Sequence, residues 1–278
     1  MAEATYYVNG KFVPASQGSL PLNDLAIVRG YGVFDLLRTY DRVMFRLRDH
    51  VLRLQTSAQS IGIRMPWSVE QIEQLIRETH DRNSFDNAAI RIVVTGGVSS
   101  DLMTPDGPPS LIIMLSSVKS PGTEEYSRGC KVKTVVMARE RPTVKSLNYI
   151  GAIKAVEEAK KEGAVEALYR TADGEVTEGT RANFFIFIGR KLITPREGVL
   201  FGITRKAVLD LARDEFEVFE APVRYDELRK ADEAFLTSTT KEVLPVVCVD
   251  DITIGTGKPG PNTLRLLARF RDAVLGGR

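Results

Sequence analysis

The chain has 278 residues, 43% of them hydrophobic, which is enough to bury one large core or two smaller ones. Its 38 lysines and arginines nearly balance its 36 aspartates and glutamates. The resulting formal net charge of +2 argues against a nucleic-acid partner and against a basic membrane-binding surface. With two cysteines and two histidines, the chain is also a poor candidate for a disulfide framework or a metal site, and we expect neither.

The N-terminal stretch MAEATYYVNG lacks the basic and apolar regions of a signal peptide. No run of about eighteen apolar residues occurs anywhere in the chain, so no membrane-spanning helix and no membrane partner are expected. These two observations predict a cytoplasmic protein.

The N-terminal part of the chain is predicted to mix strands and helices. Asn9-Gly10 is a two-residue hairpin signal between two apolar runs. Asp49 is placed to cap the helix that follows the strand-like runs VFDLLRTY and VMFRL. Ser68 with Gln71 fits a capping box for a second helix. The runs AAIRIVVTGG and SLIIMLSSV are then predicted to be buried strands.

Residues 119–129, KSPGTEEYSRG, are polar and rich in turn-forming residues, which predicts an interdomain linker. It separates a small N-terminal α+β domain at 1–118 from a larger C-terminal α/β domain at 130–278. The second domain is predicted to be rich in strands, with single helices at 150–162, from Ile203 and near the C-terminus. This irregular order differs from the alternating βαβ pattern of a doubly wound sheet, and no GxGxxG motif is present. We therefore predict the α+β class.

Three polar stretches have both a structural and a chemical interpretation. Lys145, in VKSLNY before the helical run IGAIKAVEEAKKEGA, is either a solvated side chain or a nucleophile aimed into a cleft. Gly202-Ile203-Thr204 begins a predicted helix whose unpaired N–H groups would stabilise a phosphate, although Thr204 could simply cap that helix. The hydroxyl run from Thr237 to Thr240 suits an anion or serves as an ordinary turn.

Three charged or titratable residues have the same ambiguity. His50 and Arg53 lie three positions apart on one predicted helix and so project from the same face. An arginine among apolar residues needs an anionic partner, which is either a ligand or a nearby acidic side chain. His50 is more simply explained as a packing residue. Glu178 lies in a predicted glycine-containing turn, where it is either held against a cation or exposed as a surface acid.

Together these residues match the requirements of one cofactor, pyridoxal 5′-phosphate. The cofactor needs a lysine amine for its aldehyde, a cup of donors for its phosphate and an acid for its pyridine nitrogen. Each feature alone has a structural explanation, but the combination predicts a pyridoxal-phosphate enzyme.

The chain resembles the fold-type IV pyridoxal-phosphate enzymes, namely D-amino-acid transaminases, branched-chain aminotransferases and aminodeoxychorismate lyases. The resemblance covers nearly the whole length and keeps the motifs in order. GYGVFDLLRTY resembles their GVFE segment, with Asp35 in place of the usual glutamate. DHVLRL resembles the HxxRL motif, VKSLN the lysine segment and VTEGTRANFF the glutamate segment, while GITR and STTKEV resemble the two parts of the phosphate cup. The two-domain fold of that family is therefore implied.

The resemblance implies a role for each matching residue. Lys145 would bind the cofactor covalently and move the substrate proton, and Glu178 would keep the pyridine nitrogen protonated. Tyr149 would form a hydrogen bond near the phenolic oxygen. The residues implied for the phosphate are Arg53, Ile203, Thr204, Ser238 and Thr239. The enzyme would move an amino group between an amino acid and a 2-oxo acid such as 2-oxoglutarate or pyruvate, as a homodimer with its site between the two domains.

Substrate recognition departs from the two main subfamilies. The tyrosine that traps the carboxylate in D-amino-acid transaminases is matched by Ile27, and their Arg-x-His pair is absent. Arg91 matches the arginine that branched-chain aminotransferases carry in an IRP-like strand. A variant group of D-amino-acid transaminases resembles this chain in RGYG and IR, and this resemblance implies that Arg29 and Arg91 would form a carboxylate clamp. Tyr31 and Thr240 complete the implied substrate-binding residues.

These motifs favour a transaminase of D-amino acids, with an L-branched-chain aminotransferase as the alternative and an aminodeoxychorismate lyase as a third candidate. A cofactor-carrying protein without turnover is the hypothesis from a different class, and the matching lysine and glutamate argue against it. The expected partners are small-molecule amino acids and 2-oxo acids.

Overall fold

The computed structural model describes residues 3–276, and within that range the chain divides into two compact units. The first unit comprises the residues up to Lys119 together with Val144–Tyr149. The second comprises Ser120–Thr143 together with the residues from Ile150 onward. Both units combine helices with strands, which confirms the predicted α+β class.

The first unit is built on one antiparallel sheet of six strands. The strands are β1 (Thr5–Val8), β2 (Lys11–Pro14), β3 (Gly32–Tyr40), β4 (Val43–Met44), β5 (Ala88–Thr95) and β6 (Leu111–Ser117). They lie in the order β2-β1-β6-β5-β3-β4. The helices of this unit are α1 (Leu25–Arg29), α2 (Leu47–Ser60) and α3 (Val69–Asp81).

Local sequence signals explain most of these boundaries. Asn9 and Gly10 both have positive φ, as a two-residue turn between β1 and β2 requires, which confirms the predicted hairpin. Both hydrogen bonds of the predicted capping box of Ser68 and Gln71 are present at the start of α3. The prediction that Asp49 caps α2 is wrong, because the helix begins two residues earlier and its N-cap is Arg46.

Alternation along the strands gives the sheet of the first unit two different faces. Val33 and Leu37 of β3 and Ile90 of β5 are fully buried in a core that includes residues of α2 and α3. Residues that alternate with them, among them Phe34 and Arg91, belong to the opposite face. One face of β3 therefore packs in the core with α2 and α3, and Phe34 lies on the other face.

The segment Val144–Tyr149 extends this sheet at the start of β3. The Phe34 N–H donates to the Lys145 carbonyl at 2.9 Å, and the Leu147 N–H donates to the Gly32 carbonyl at 3.0 Å. Val144 is buried in the core of the first unit. These contacts explain why the lysine segment groups with the first unit, although we predict it within the second domain.

The second unit is built on a larger mixed sheet. Its strands are β7 (Cys130–Val136), β8 (Glu166–Arg170), β9 (Glu175–Gly179), β10 (Asn183–Ile188), β11 (Lys191–Thr194), β12 (Glu217–Glu220), β13 (Val223–Arg224), β14 (Glu233–Ser238), β15 (Glu242–Val249) and β16 (Ile252–Thr253). The order is β12-β11-β10-β14-β15-β7-β8-β9-β13, with β16 beside β15. Because β9 also pairs with β10, six of these strands close into a ring, β10-β14-β15-β7-β8-β9.

Four helices accompany this sheet: α4 (Thr123–Arg128), α5 (Ile150–Lys161), α6 (Ile203–Ala212) and α7 (Pro261–Gly276). Helix α4 occupies much of the segment that we predict as a linker, so that segment is not a plain loop. Helix α5 packs through Ala155 and Ala159. Across residues 3–276, every helix is too short or too polar to cross a membrane.

Candidate active site

Lys145 is held against the start of β3 and the end of α2. Its backbone N–H donates to the Ser57 hydroxyl at 3.2 Å, and its carbonyl accepts from Phe34. Its Nζ lies 4.6 Å from the centroid of the Phe34 ring, and the residue is half-buried. By contrast, Lys154 on α5 is 73% exposed and paired with a neighbouring glutamate, as expected for a solvated helix face. The backbone contacts fix the direction in which the Lys145 side chain leaves the strand.

The Phe34 ring brings two further predicted residues next to Lys145. The Tyr149 ring packs edge-on against Phe34, with the ring centroids 5.4 Å apart. The Arg91 guanidinium lies 4.8 Å from the same centroid, and Arg91 is otherwise exposed. Lys145, Tyr149 and Arg91 therefore surround one aromatic side chain within the first unit.

Arg53 has an acidic partner in the first unit. The Arg53 Nε and Nη2 atoms each donate to the carboxylate of Asp35 on β3 at 2.8 Å, and the His50 Nδ1 lies 2.7 Å from that carboxylate. Asp35 is fully buried, and the Arg53 side chain is 13% exposed. The i, i+3 spacing on α2 points both His50 and Arg53 at Asp35. The acidic partner expected for Arg53 is thus Asp35, the residue that stands where the resembling enzymes have a glutamate.

The charges in this cluster determine its protonation. Burial acts to raise the pKa of Asp35, but the charges and hydrogen bonds of Arg53 and His50 outweigh it and hold the pKa well below its usual range. Burial lowers the pKa of His50 more than Asp35 raises it. Because the ionised carboxylate can only accept, we assign the single proton of neutral His50 to Nδ1.

The predicted substrate residues near the start of the chain lie in different surroundings. Tyr31 packs against the core of the first unit, and its hydroxyl donates to the Ile61 carbonyl at 2.6 Å. Arg29 is exposed at the end of α1, where its Nη1 donates to the Val28 carbonyl at 2.9 Å. Ile27 is 52% exposed. Among these residues, the cationic group of Arg29 is the one available to a carboxylate.

Glu178 is buried on β9, with only 3% of its surface exposed. Its Oε1 accepts from the Arg139 guanidinium at 2.7 Å, and its Oε2 accepts from the Leu200 N–H at 2.9 Å. Of the two interpretations of Glu178, the one beside a cation is observed. The predicted turn position is wrong, because Glu178 lies on β9 and pairs with Asn183 of β10. The sequence does not single out Arg139, which lies 39 residues away and stands among other charged residues.

The start of α6 is a potential anion site. Gly202 is its N-cap, and no side chain forms a capping hydrogen bond there. Ile203 and Thr204 are the first two helical residues and are buried, so Thr204 is not the cap. A side chain at Gly202 would overlap the Asn183 amide oxygen, which explains the glycine. Because Gly202 has no side chain to cap the first N–H groups of α6, this helix start suits a phosphate.

Strand register places the hydroxyl run close to Glu178. Glu178 is opposite Asn183, and Asn183 is opposite Thr237 on β14, so the three side chains share one face of the sheet. The Thr237 Oγ1 is buried and has no hydrogen-bond partner among residues 3–276. Ser238, Thr239 and Thr240 follow directly and are partly exposed. The second unit thereby gathers a carboxylate, an uncapped helix start and a hydroxyl-rich turn.

Comparison with known proteins assigns the chain to a family. The model of the class IV amino-transferases matches residues 32–249. The chain belongs to the class IV aminotransferases. This aminotransferase is 33% identical to the D-alanine aminotransferase of Staphylococcus aureus (strain MW2), with 96% of this chain and 97% of the relative covered. It is 35% identical to a protein of Methanocaldococcus jannaschii that is named provisionally as a branched-chain-amino-acid aminotransferase, with 96% and 95% covered.

The fold of this aminotransferase is that of solved family members. The crystal structure of a T.th. branched-chain amino acid aminotransferase with pyridoxamine 5′-phosphate matches with a TM-score of 0.93 at 30% identity. The match covers 100% of this chain and 96% of the other. The predicted fold-type IV assignment and the predicted aminotransferase activity are confirmed.

Replacing Asp35 with asparagine is expected to lower the free energy of unfolding by about 3 kcal/mol, because the Arg53 guanidinium would lose its buried counter-charge. Urea denaturation of the wild type and the variant measures the difference. The control is Glu70→Gln, which removes an ion pair with Arg48 in which the Glu70 side chain is 67% exposed. A much smaller effect is expected there. Equal losses in the two variants would contradict the assigned role of Asp35.

Stability is expected to fall with decreasing pH because of the two histidines. Burial lowers the pKa of both His50 and His80. The unfolded chain binds protons near about pH 6.5, where the folded protein does not, so acidification favours unfolding by up to roughly 1.4 kcal/mol per pH unit and histidine. His50→Asn, which keeps an N–H donor for Asp35, should remove the part of this pH dependence that His50 contributes.

Urea denaturation between about pH 5 and 8 measures the slope, since unperturbed histidine titrates in that range. His80→Asn is the matched variant, and the double variant should show the flattest dependence. An unchanged slope in His50→Asn would mean that His50 is not neutral in the folded protein.

Proposed function

We propose that this aminotransferase uses pyridoxal 5′-phosphate bound to Lys145. Support comes from residues that fit each part of the cofactor. The first unit carries Lys145, and the second carries the buried Glu178. The Thr237 hydroxyl, buried without a partner among the described residues, and the uncapped start of α6 provide donors of the kind a phosphate needs. The buried Thr237 hydroxyl without a partner among residues 3–276 is the observation that carries the proposal.

When bound, pyridoxal phosphate supplies an aldehyde that takes up the substrate amine and a ring that withdraws electrons from the substrate Cα. The Lys145 amine would act there as general base and then as general acid, taking the proton from Cα and returning it on the cofactor side of the imine nitrogen. The backbone bonds of Lys145 to Ser57 and Phe34 aim the amine, and the Phe34 ring covers one side of it. A fixed orientation of this kind increases the rate of proton transfer.

Glu178 would hold a proton on the pyridine nitrogen. Its carboxylate accepts from the Arg139 guanidinium and the Leu200 N–H, which is the hydrogen-bonding pattern of an ionised group. An ionised acid at that nitrogen favours the protonated ring. Arg139 is thereby the residue that keeps Glu178 charged in its buried position.

The phosphate would be bound by a cation, by helix N–H groups and by hydroxyls. Arg53 contributes the cation, and Asp35 fixes the plane of its guanidinium through two hydrogen bonds. The remaining donors would be the N–H groups of Ile203 and Thr204 and the hydroxyls of Thr237, Ser238 and Thr239.

For the substrate, we favour D-amino acids, whose carboxylate is bound by Arg91 with help from Arg29. The Arg91 guanidinium and the Lys145 amine both contact the Phe34 ring. A substrate that reaches the amine therefore also comes near a guanidinium. The similarity to the D-alanine aminotransferase of Staphylococcus aureus agrees with this choice. L-branched-chain amino acids are the second candidate, because the solved enzyme with pyridoxamine 5′-phosphate is named for them.

Lys145→Ala is expected to abolish amino transfer, because the amine that moves the Cα proton is lost. Absorbance of purified protein with pyridoxal 5′-phosphate, before and after borohydride, followed by peptide mapping, should locate the modified residue at position 145. Lys154→Ala on the exposed face of α5 is the control and should retain both label and activity. Label at Lys154 or Lys160 in the wild type would overturn the assignment.

Turnover of D-alanine with 2-oxoglutarate, compared with turnover of L-leucine, tests the substrate proposal. Arg91→Met is expected to lower kcat/KM for the preferred donor by roughly tenfold or more, since a carboxylate loses a charged hydrogen-bond partner. The control is Arg82→Met, because Arg82 also lies over an aromatic ring of the first unit, that of Phe12. Exclusive use of L-leucine would replace the D-amino-acid proposal with the second candidate.

A further inference from the structure

A buried charge cluster of the second unit centres on Glu166, the first residue of β8. Its carboxylate is fully buried and accepts from the Thr180 hydroxyl and, at 2.9 Å, from the Lys241 Nζ. The Arg181 Nε lies 3.5 Å away. Burial acts to raise the pKa of Glu166, but these two cations and the hydrogen bonds outweigh it and lower the pKa. The carboxylate is therefore ionised within the fold.

Lys241 is fixed at three points. Its Nζ binds Glu166, its N–H donates to the Ser238 hydroxyl at 3.1 Å, and its carbonyl accepts from the Tyr126 hydroxyl at 3.0 Å. Only 8% of the residue is exposed. The buried side chain of Lys241 thus anchors the turn between β14 and β15 to Glu166.

The two hydrogen-bonded partners of Glu166 belong to two of the three segments of this unit that carry proposed cofactor contacts; the start of α6 is the third. Thr180 comes two residues after Glu178, and Lys241 comes two residues after Thr239. These partners lie 14 and 75 residues from Glu166 in the chain. One buried carboxylate therefore connects the end of β9 with the hydroxyl-rich turn.

Stability alone is a poor explanation for this cluster. Apolar residues of similar volume often stabilise a fold as well as a buried ion pair does, because desolvation offsets the attraction between the charges. Directional hydrogen bonds, however, fix the distance between two backbone segments in a way that apolar contacts do not. The cluster is therefore suited to holding two segments at a set spacing.

We propose that Glu166 and Lys241 are positioning residues for pyridoxal 5′-phosphate, an inference that rests on the function proposed above. They set the spacing between the Glu178 carboxylate and the hydroxyl-rich turn, so that the ring nitrogen and the phosphate of one cofactor molecule are held at once. Neither residue needs to touch the cofactor.

Titration of cofactor-free protein with pyridoxal 5′-phosphate, followed by absorbance, tests this role alongside thermal unfolding of the same cofactor-free protein. Glu166→Gln is expected to raise the Kd about tenfold, since one misplaced hydrogen-bonded contact accounts for a change of that size. Lys241→Met removes the other member of the ion pair and is expected to raise the Kd by a similar factor.

The matched control is Glu233→Gln. Glu233 is also a buried carboxylate of this unit, but it accepts from the N–H groups of Asn262 and Thr263 at the start of α7, at the opposite end of β14 from the turn. Its loss should lower the unfolding temperature while leaving the Kd within about twofold of the wild type, because no cofactor contact depends on it.

The double variant Glu166→Gln/Lys241→Met separates positioning from stability. With both charges removed, the unfolding temperature should recover towards that of the wild type, while the Kd stays raised. A Kd that recovers with stability, or an unchanged Kd in Glu166→Gln, would overturn the inference. If the wild type itself does not bind pyridoxal 5′-phosphate, the proposed function fails, and that outcome is distinct from the other two.

Discussion

The pairing of Lys145–Leu147 with the start of β3 is the constraint on which the lysine half of the site depends. Two backbone hydrogen bonds set the register of this segment against Gly32 and Phe34. Since neighbouring residues of a strand face opposite sides, Phe34 projects towards the lysine and Asp35 projects towards α2. One short stretch of strand therefore places the amine, the aromatic ring beside it and, through Asp35, the guanidinium of Arg53.

In the second unit, strand register plays the same part. The closed ring of six strands sets Glu178 opposite Asn183 and Asn183 opposite Thr237. Asn183 also donates to the Leu200 carbonyl at 2.7 Å, which anchors the loop that leads into α6. A carboxylate, a helix start and a hydroxyl run, which come from distant parts of the chain, are thereby brought to one face of the sheet.

Signals within a few residues could be predicted from the sequence, whereas long-range partners could not. The hairpin at Asn9-Gly10 and the capping box at Ser68 depend on neighbouring residues alone. The prediction that Asp49 caps α2 failed because a helix can begin at any of several positions around a residue that is suited to capping it. The motifs of Lys145 and Glu178 were recognisable, but their partners were not, since partners so distant in sequence meet only through strand pairing.

Two of the buried carboxylates, Asp35 and Glu166, have similar surroundings. Each is fully buried and paired with cations, which costs desolvation energy that apolar residues would avoid. In each case a partner of the carboxylate belongs to, or directly adjoins, a segment proposed to contact the charged cofactor. A binding site for a phosphate needs donors that hold their direction before the ligand arrives, because reorientation would reduce affinity. Buried ion pairs supply that rigidity, and their energetic cost is the reason to expect them beside a ligand and not elsewhere in the core.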